Sequence, residues 1–107
     1  MLARPYVYKL THQDTGEFYF GYRYTNKTPA LEDLGIKYFS SSKEVTLRGF
    51  ETFISEIVSE FDTPEEAYRA ENLLIEKHFH DLLCLNRHYF RESTPYFNPQ
   101  NAEARKK

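Results

Sequence analysis

A single cysteine, Cys84, stands in a chain of 107 residues. An internal disulfide and a cysteine-rich zinc cluster are therefore both excluded, and a reducing cytosol suits such a chain. Tryptophan is absent. No apolar run approaches the roughly 20 residues that a membrane span requires. The opening Met1-Leu2-Ala3-Arg4-Pro5 lacks the apolar core of a secretory leader, so a cytoplasmic location is expected. Charge of one sign is not in excess either: 14 Lys+Arg against 16 Asp+Glu leave a net charge of -2, and with it no global positive field. Hydrophobic residues at 40% and charged residues at 28% exclude disordered, collagen-like and low-complexity classes. With no internal repeat and no second composition regime, the chain reads as one domain over residues 1–90 and a polar tail over 91–107.

What the chain does have is aromatic side chains, nine Tyr and nine Phe. Phenylalanine is core material, whereas each tyrosine carries a hydroxyl that must be hydrogen-bonded or wet. Tyr6, Tyr8 and Leu10 alternate with Val7 in a strand over Pro5 to Thr11. Asp14-Thr15-Gly16 signals a turn, and Glu17 to Tyr24 returns as the second strand of a hairpin. Ala30 to Leu34 reads as a short helix capped by Thr28 and ended by Gly35. Ser40-Ser41-Ser42 reads as a loop or as the cap of a second helix that runs to about Arg48 and stops at Gly49. Phe53 to Phe61 reads as a third strand, with helix open as the alternative because its large residues recur every four positions. Thr63, Pro64 and Glu66 form a capping box that starts a helix reaching about Phe79. These elements predict an α+β fold, a small three-stranded antiparallel sheet flanked by helices.

Two features stand out as candidates for chemistry. Ala67, Tyr68, Leu74, Ile75, His78 and Phe79 form the apolar stripe of the last helix, and Glu71 falls in its middle. A carboxylate there is costly unless paired, metal-bound or open to a cleft, and a structural ion pair or a snorkelling carboxylate would explain it equally well. The hairpin meanwhile concentrates Tyr6, Tyr8, Tyr19, Tyr22 and Tyr24 on two strands. Cross-strand aromatic pairing alone would add a few tenths to about 1 kcal/mol, which is the plain structural account of them.

Tyr6-Val7-Tyr8, ten residues, then Tyr19-Phe20-Gly21 resembles the paired tripeptides of the GIY-YIG nuclease superfamily. Ala70-Glu71-Asn72-Leu73-Leu74-Ile75 is similar to that family's helix with its catalytic glutamate, and Leu85-Asn86 to its later asparagine. Lys37 to Ser42 and Gly49 to Phe53 resemble phage-encoded homing-endonuclease members. The likeness spans about residues 5 to 90. Tyr6 and Val7 replace Gly and Ile of the first motif, and Phe20 replaces the central Ile of the second. The family's arginine usually lies in the helix after the hairpin; no arginine occurs between Arg23 and Arg48, which leaves Arg23 as the candidate.

The resemblance implies a metal-dependent endonuclease that cuts or nicks DNA, acting inside a bacterial host if phage-encoded. Glu71 would be the protein ligand of one Mg²⁺ or Mn²⁺, an oxygen-loving ion that keeps several waters. Arg23 would hold the scissile phosphate with its planar fork of donors. Tyr8 would orient or deprotonate the attacking water and Tyr19 would hydrogen-bond the phosphate. A phenol titrates near about 10, so Tyr8 would need a neighbouring cation to lower that value. Lys37 is a further phosphate contact, and Asn86 would order the site or simply cap a turn. His12 is expected at the exposed turn, His78 and His80 lack zinc spacing, and His88 would approach the cleft only from its flanking loop. Lys9, Arg23, Lys27, Lys37, Lys43 and Arg48 offer a local basic strip in a chain of net charge -2. Duplex DNA binding is accordingly expected to be weak, with specificity supplied by a homodimer, a partner or an additional DNA-binding segment. The alternatives are a non-cleaving nucleic-acid-binding or interaction module on the same scaffold, and an aromatic-cored domain with no such activity.

Overall fold

In the computed structural model, residues 2–91 and 94–97 are described. Strands β1 (Tyr6–His12), β2 (Phe18–Arg23) and β3 (Phe53–Glu60) form an antiparallel sheet in the order β2-β1-β3. Helices α1 (Ala30–Asp33) and α2 (Lys43–Arg48) and a 3₁₀ turn at Phe50–Thr52 lie between β2 and β3, and α3 (Pro64–His78) follows. The fold is thus the expected small α+β unit with a three-stranded antiparallel sheet. No helix among the described residues is long and apolar enough to cross a membrane.

The alternation of side chains on β1 and β2 divides the core into two layers. Tyr6, Tyr8 and Leu10 are fully buried on one face, packed with Ala30, Val45 and Phe53 from the helical connection and β3. Phe18 and Phe20 point to the other face and pack under α3 with Ile75, Phe79 and Cys84. The hairpin register sets Tyr8 opposite Gly21. A Cβ at position 21 would run into the ring of Tyr8, so only glycine lets the phenol lie across the neighbouring strand. Gly16 takes the positive φ (76°) required by the β1–β2 turn.

β3 settles the strand-or-helix alternative in favour of strand, because every residue from Phe53 to Glu60 pairs along β1 or sits at one bulge opposite Val7 and Tyr8. The capping box of α3 is present in both directions: Thr63 Oγ accepts from Glu66 N, and the Glu66 carboxylate accepts from Thr63 N. α2 begins at Ser42, whose hydroxyl accepts from Val45 N, and stops at Gly49.

Three expectations need correction. Thr28 does not cap α1; the N-cap is Pro29, and the Thr28 hydroxyl turns instead to Asp33 (3.4 Å). His12 is half-buried, not exposed, because its ring packs edge-on against Phe53 (5.0 Å between centroids). The boundary at residue 90 falls inside strand β4 (His88–Arg91), which pairs antiparallel with β5 (Thr94–Phe97). Strands of four residues carry too little alternation to register as a pattern. The rest of the polar tail lies outside the described residues.

Gly21→Ala is expected to destabilise the chain by about 3 kcal/mol, the upper range for overpacking, because the Tyr8 ring is enclosed and cannot retreat. Chemical denaturation of the two chains measures it, and a loss below about 0.5 kcal/mol would show that the ring has room to move.

Candidate active site

The outer edge of β2 is closed by backbone and side-chain hydrogen bonds from the segment after α3. Phe18 N donates to Leu83 O (2.8 Å) and Leu85 N donates to Phe18 O (2.7 Å). Asn86 then replaces a strand: its Oδ1 accepts from Phe20 N (2.8 Å) and its Nδ2 donates to Phe20 O (2.7 Å). Closure ends there. The next outward-facing position, Tyr22, opens on a cavity of about 420 Å³.

Four elements build this cleft. β2 supplies Tyr19 and Tyr22, the start of α2 supplies Lys43 and Glu44, α3 supplies Tyr68, Glu71 and Asn72, and the segment leading into β4 supplies Asn86, Arg87 and His88. Glu71 therefore looks into a cleft rather than onto the sheet. The neighbour that packs is Asn72, which is buried and donates to Tyr68 O (2.8 Å). Glu71 keeps partial contact with solvent, but protein atoms crowd its carboxyl and burial alone pushes its pKa up to about 8. Among the described residues it has no ion-pair or hydrogen-bond partner.

The tyrosines divide by depth. Tyr19 lies at the cleft, with its ring 6.3 Å from that of Tyr8, so the two motif tyrosines do meet. Tyr8 itself is fully buried, and its hydroxyl is engaged by Ser40 Oγ (2.9 Å) and the Tyr38 hydroxyl (3.3 Å). Both phenols titrate well above the ordinary tyrosine range. Burial is the main cause in each case, followed by the neighbouring Tyr19 for Tyr8 and by the Glu71 charge for Tyr19. The cation that Tyr8 would need to act as a base does not lower its value among the described residues, where desolvation dominates. At neutral pH both remain protonated.

Arg23 is not among the residues lining the cleft. Its Nε is 3.2 Å from Asp33 Oδ2, its Nη1 donates to Thr25 (3.1 Å), and its guanidinium lies 4.3 Å over the Tyr38 ring. Asp33 is buried and also accepts from the Tyr6 hydroxyl at 2.6 Å, so the arginine compensates a buried charge. Lys37 is exposed and likewise does not line the cleft. The expected basic strip is thinned further. Arg48 binds Glu17 (2.7 Å) and Glu44 (2.8 Å), and Lys9 lies over the Phe18 ring (5.0 Å). Lys43 and Arg87 instead bring positive charge to the cleft, and neither has a carboxylate within salt-bridge distance among the described residues. Arg87 escaped notice in the sequence because nothing periodic marks residues 81–90; its position next to Asn86 was the available signal. His88, the one histidine expected to approach the cleft from its flanking loop, does line it.

No group of three or more acidic, histidine or cysteine side chains converges as a metal cage among the described residues. The one carboxylate at the cleft without a protein partner, Glu71, suits an ion that keeps most of its waters. Comparisons with protein-family models, with curated proteins and with solved structures return no match.

Two outcomes follow from the geometry. Asn86→Ala strips both hydrogen bonds from the buried Phe20 backbone and is expected to cost about 2–4 kcal/mol in denaturant unfolding; a group needed only for chemistry would leave stability unchanged. For Glu71, the folded carboxyl binds its proton up to about pH 8 whereas the unfolded one releases it near 4.5. Between those values the folded chain holds the extra proton, so its stability falls as pH rises. In EDTA, Glu71→Gln should therefore melt roughly 5 °C or more above the native chain at pH 8, and the difference should shrink to nothing near pH 4.5. Parallel melting curves at both pH values would contradict the burial of this carboxyl.

Proposed function

We propose that the chain is an endonuclease that hydrolyses DNA phosphodiester bonds with the help of a divalent ion, Mg²⁺ or Mn²⁺. The observation that carries this reading is the Glu71 carboxylate, crowded but unpaired, facing a cleft that it shares with Tyr19 of the paired-tripeptide hairpin. A structural ion pair would have given Glu71 a partner, and Lys43 and Arg87 supply cations at the same cleft without neutralising it.

Glu71 would hold the ion through its carboxylate oxygens. When bound, such an ion stabilises negative charge developing on the phosphate and lowers the proton affinity of a coordinated water. The chain's own residues do the rest. The Tyr19 hydroxyl, protonated at neutral pH, donates to a phosphate oxygen. Lys43 and Arg87 attract the phosphodiester and hold it at the mouth of the cleft. Asn86 positions Tyr19 by fixing Phe20 beside it, and Tyr8 acts one layer deeper by packing under Tyr19. The water oxygen would bond to phosphorus and release one proton to solvent as the P–O bond to the leaving sugar oxygen breaks, and that oxygen would take up a proton from solvent.

One observation favours a second reading, a nucleic-acid-binding module that does not cleave. Arg23 is committed to Asp33, and the Tyr8 hydroxyl is satisfied within the core, so a motif tyrosine and the candidate for the family's arginine both stand away from the cleft.

A supercoiled-plasmid assay with Mg²⁺ or Mn²⁺ separates the two. Nicking is expected from the native chain, with a loss of about 100-fold or more in Glu71→Ala. Tyr19→Phe should lose more activity than Tyr8→Phe, since of the two only Tyr19 lines the cleft. Equal activity in all variants would reject this site, and no activity with either metal would favour the binding module.

A further inference from the structure

The aromatic side chains at the cleft do not end with Tyr19. Tyr22, the last outward-facing residue of β2 before the cleft, carries Tyr24 stacked on it: the ring centroids are 5.4 Å apart and the planes differ by 19°. Tyr68 of α3 also packs on Tyr22, tilted 61° with 5.6 Å between centroids. The near-parallel Tyr22–Tyr24 pair is thus braced from the helix. Tyr24 keeps 46% of its surface exposed at the outer end of this row.

A phenol held flat at the surface by a second phenol presents a π-face that water solvates poorly. Its natural ligand is another flat ring. The cleft that Tyr22 lines also carries Lys43 and Arg87, neither with a carboxylate within salt-bridge distance among the described residues, so a ring bearing an anionic group fits the row better than a neutral one. The cavity of about 420 Å³ lies in the range of small-molecule sites, about 300–1,000 Å³, and has room for a nucleotide unit but not for a double helix.

We infer that the Tyr22–Tyr24 stack is a platform for an unpaired base of a DNA strand, whose adjoining phosphate reaches Lys43 and Arg87 at the cleft. This rests on the nuclease reading for the identity of the ligand and names the form of DNA that the cleft takes. In a duplex each base is covered by its neighbours in the stack, and its face is unavailable to a tyrosine. An unpaired base at a flap, a bubble or a single-stranded end has that face free. The weakness of the chain's overall charge points the same way. A protein of net charge -2 gains little from counterion release along a duplex, whereas stacking does not depend on a positive field.

The test is fluorescence polarisation with a labelled 12-nucleotide oligothymidylate and a labelled blunt-ended duplex hairpin, in EDTA and moderate salt. The native chain should bind the single strand at least five-fold more tightly than the hairpin. Tyr24→Ala should weaken single-strand binding by roughly ten-fold, as loss of one base–aromatic stack does. Tyr24→Phe, which keeps the ring and removes the hydroxyl, should retain binding and serves as the check that the effect is stacking. Circular dichroism confirms that both variants fold, as expected of an exposed position. Hairpin binding equal to or tighter than single-strand binding would overturn the inference, as would unchanged binding in Tyr24→Ala. EDTA removes cleavage from the measurement, so the two readings fail separately. A chain that nicks plasmid through Glu71 can still fail here, and one that never cleaves can still pass.

Discussion

The pair of hydrogen bonds between the Asn86 amide and the Phe20 backbone is what gives this small sheet a functional edge. β2 is an edge strand, and an open edge is both unstable and an invitation to pairing with another chain. Leu83, Leu85 and Asn86 cover it as far as Phe20, three positions short of its end. Because the cover is a loop running into β4 and not a full strand, it leaves the last stretch of β2 open. That unpaired stretch, the start of α2, the middle of α3 and the segment leading into β4 enclose the cleft. Asn86 thus creates the site by where its closure stops, and it also delivers Arg87 and His88 to the rim.

Charge within the fold is distributed by the same economy of partners. The buried Asp33 takes Arg23 and the Tyr6 hydroxyl, and Arg48 takes Glu17 and Glu44, so most of the guanidinium groups in the first half of the chain are used inside the structure. Glu71 received no such partner. Its raised proton affinity is the cost of holding a carboxyl among aromatic rings without a counter-charge, and a fold selected for stability alone would do better with glutamine there. An unfavourable group at a cleft that Lys43 and Arg87 also line is the kind of local conflict expected where a ligand is to be met.

Much of this was legible in the sequence, and the reason differs from element to element. α3 carried its own start signal in Thr63, Pro64 and Glu66, and its helical period exposed Glu71 as an anomaly. The hairpin was readable from alternation and from Gly16. What period-based reasoning could not supply was the partner of a side chain distant along the chain. Asn86 reaches Phe20 across 66 positions, and Tyr8 reaches Ser40 across 32. Arg23 illustrates the same limit. Its proximity to the second motif suggested a role beside the tyrosines, but Asp33, ten residues later, claims it, and the signal for that ion pair was only an acidic residue in a four-residue helix. The helix face was also read one step too generously: Glu71 lies at the border of the packed stripe, and Asn72, which looked like a mere neighbour, occupies the buried position.

The two motif tyrosines therefore differ in kind, although sequence spacing makes them look equivalent. Tyr8 is on the central strand, where both sides are paired and the phenol has nowhere to go but across Gly21 into the core. Tyr19 is on the edge strand, on the same sheet face, and one strand closer to solvent. A central strand can only offer a buried hydroxyl, which serves to fix geometry through Ser40 and Tyr38. An edge strand can offer a hydroxyl to a ligand. The absence of a side chain at position 21 couples the two, since the Tyr8 ring fills that space and meets Tyr19 from below. The glycine of the second tripeptide is thus explained by the tyrosine of the first, and the paired motif is a single packing unit whose outer member alone reaches the cleft.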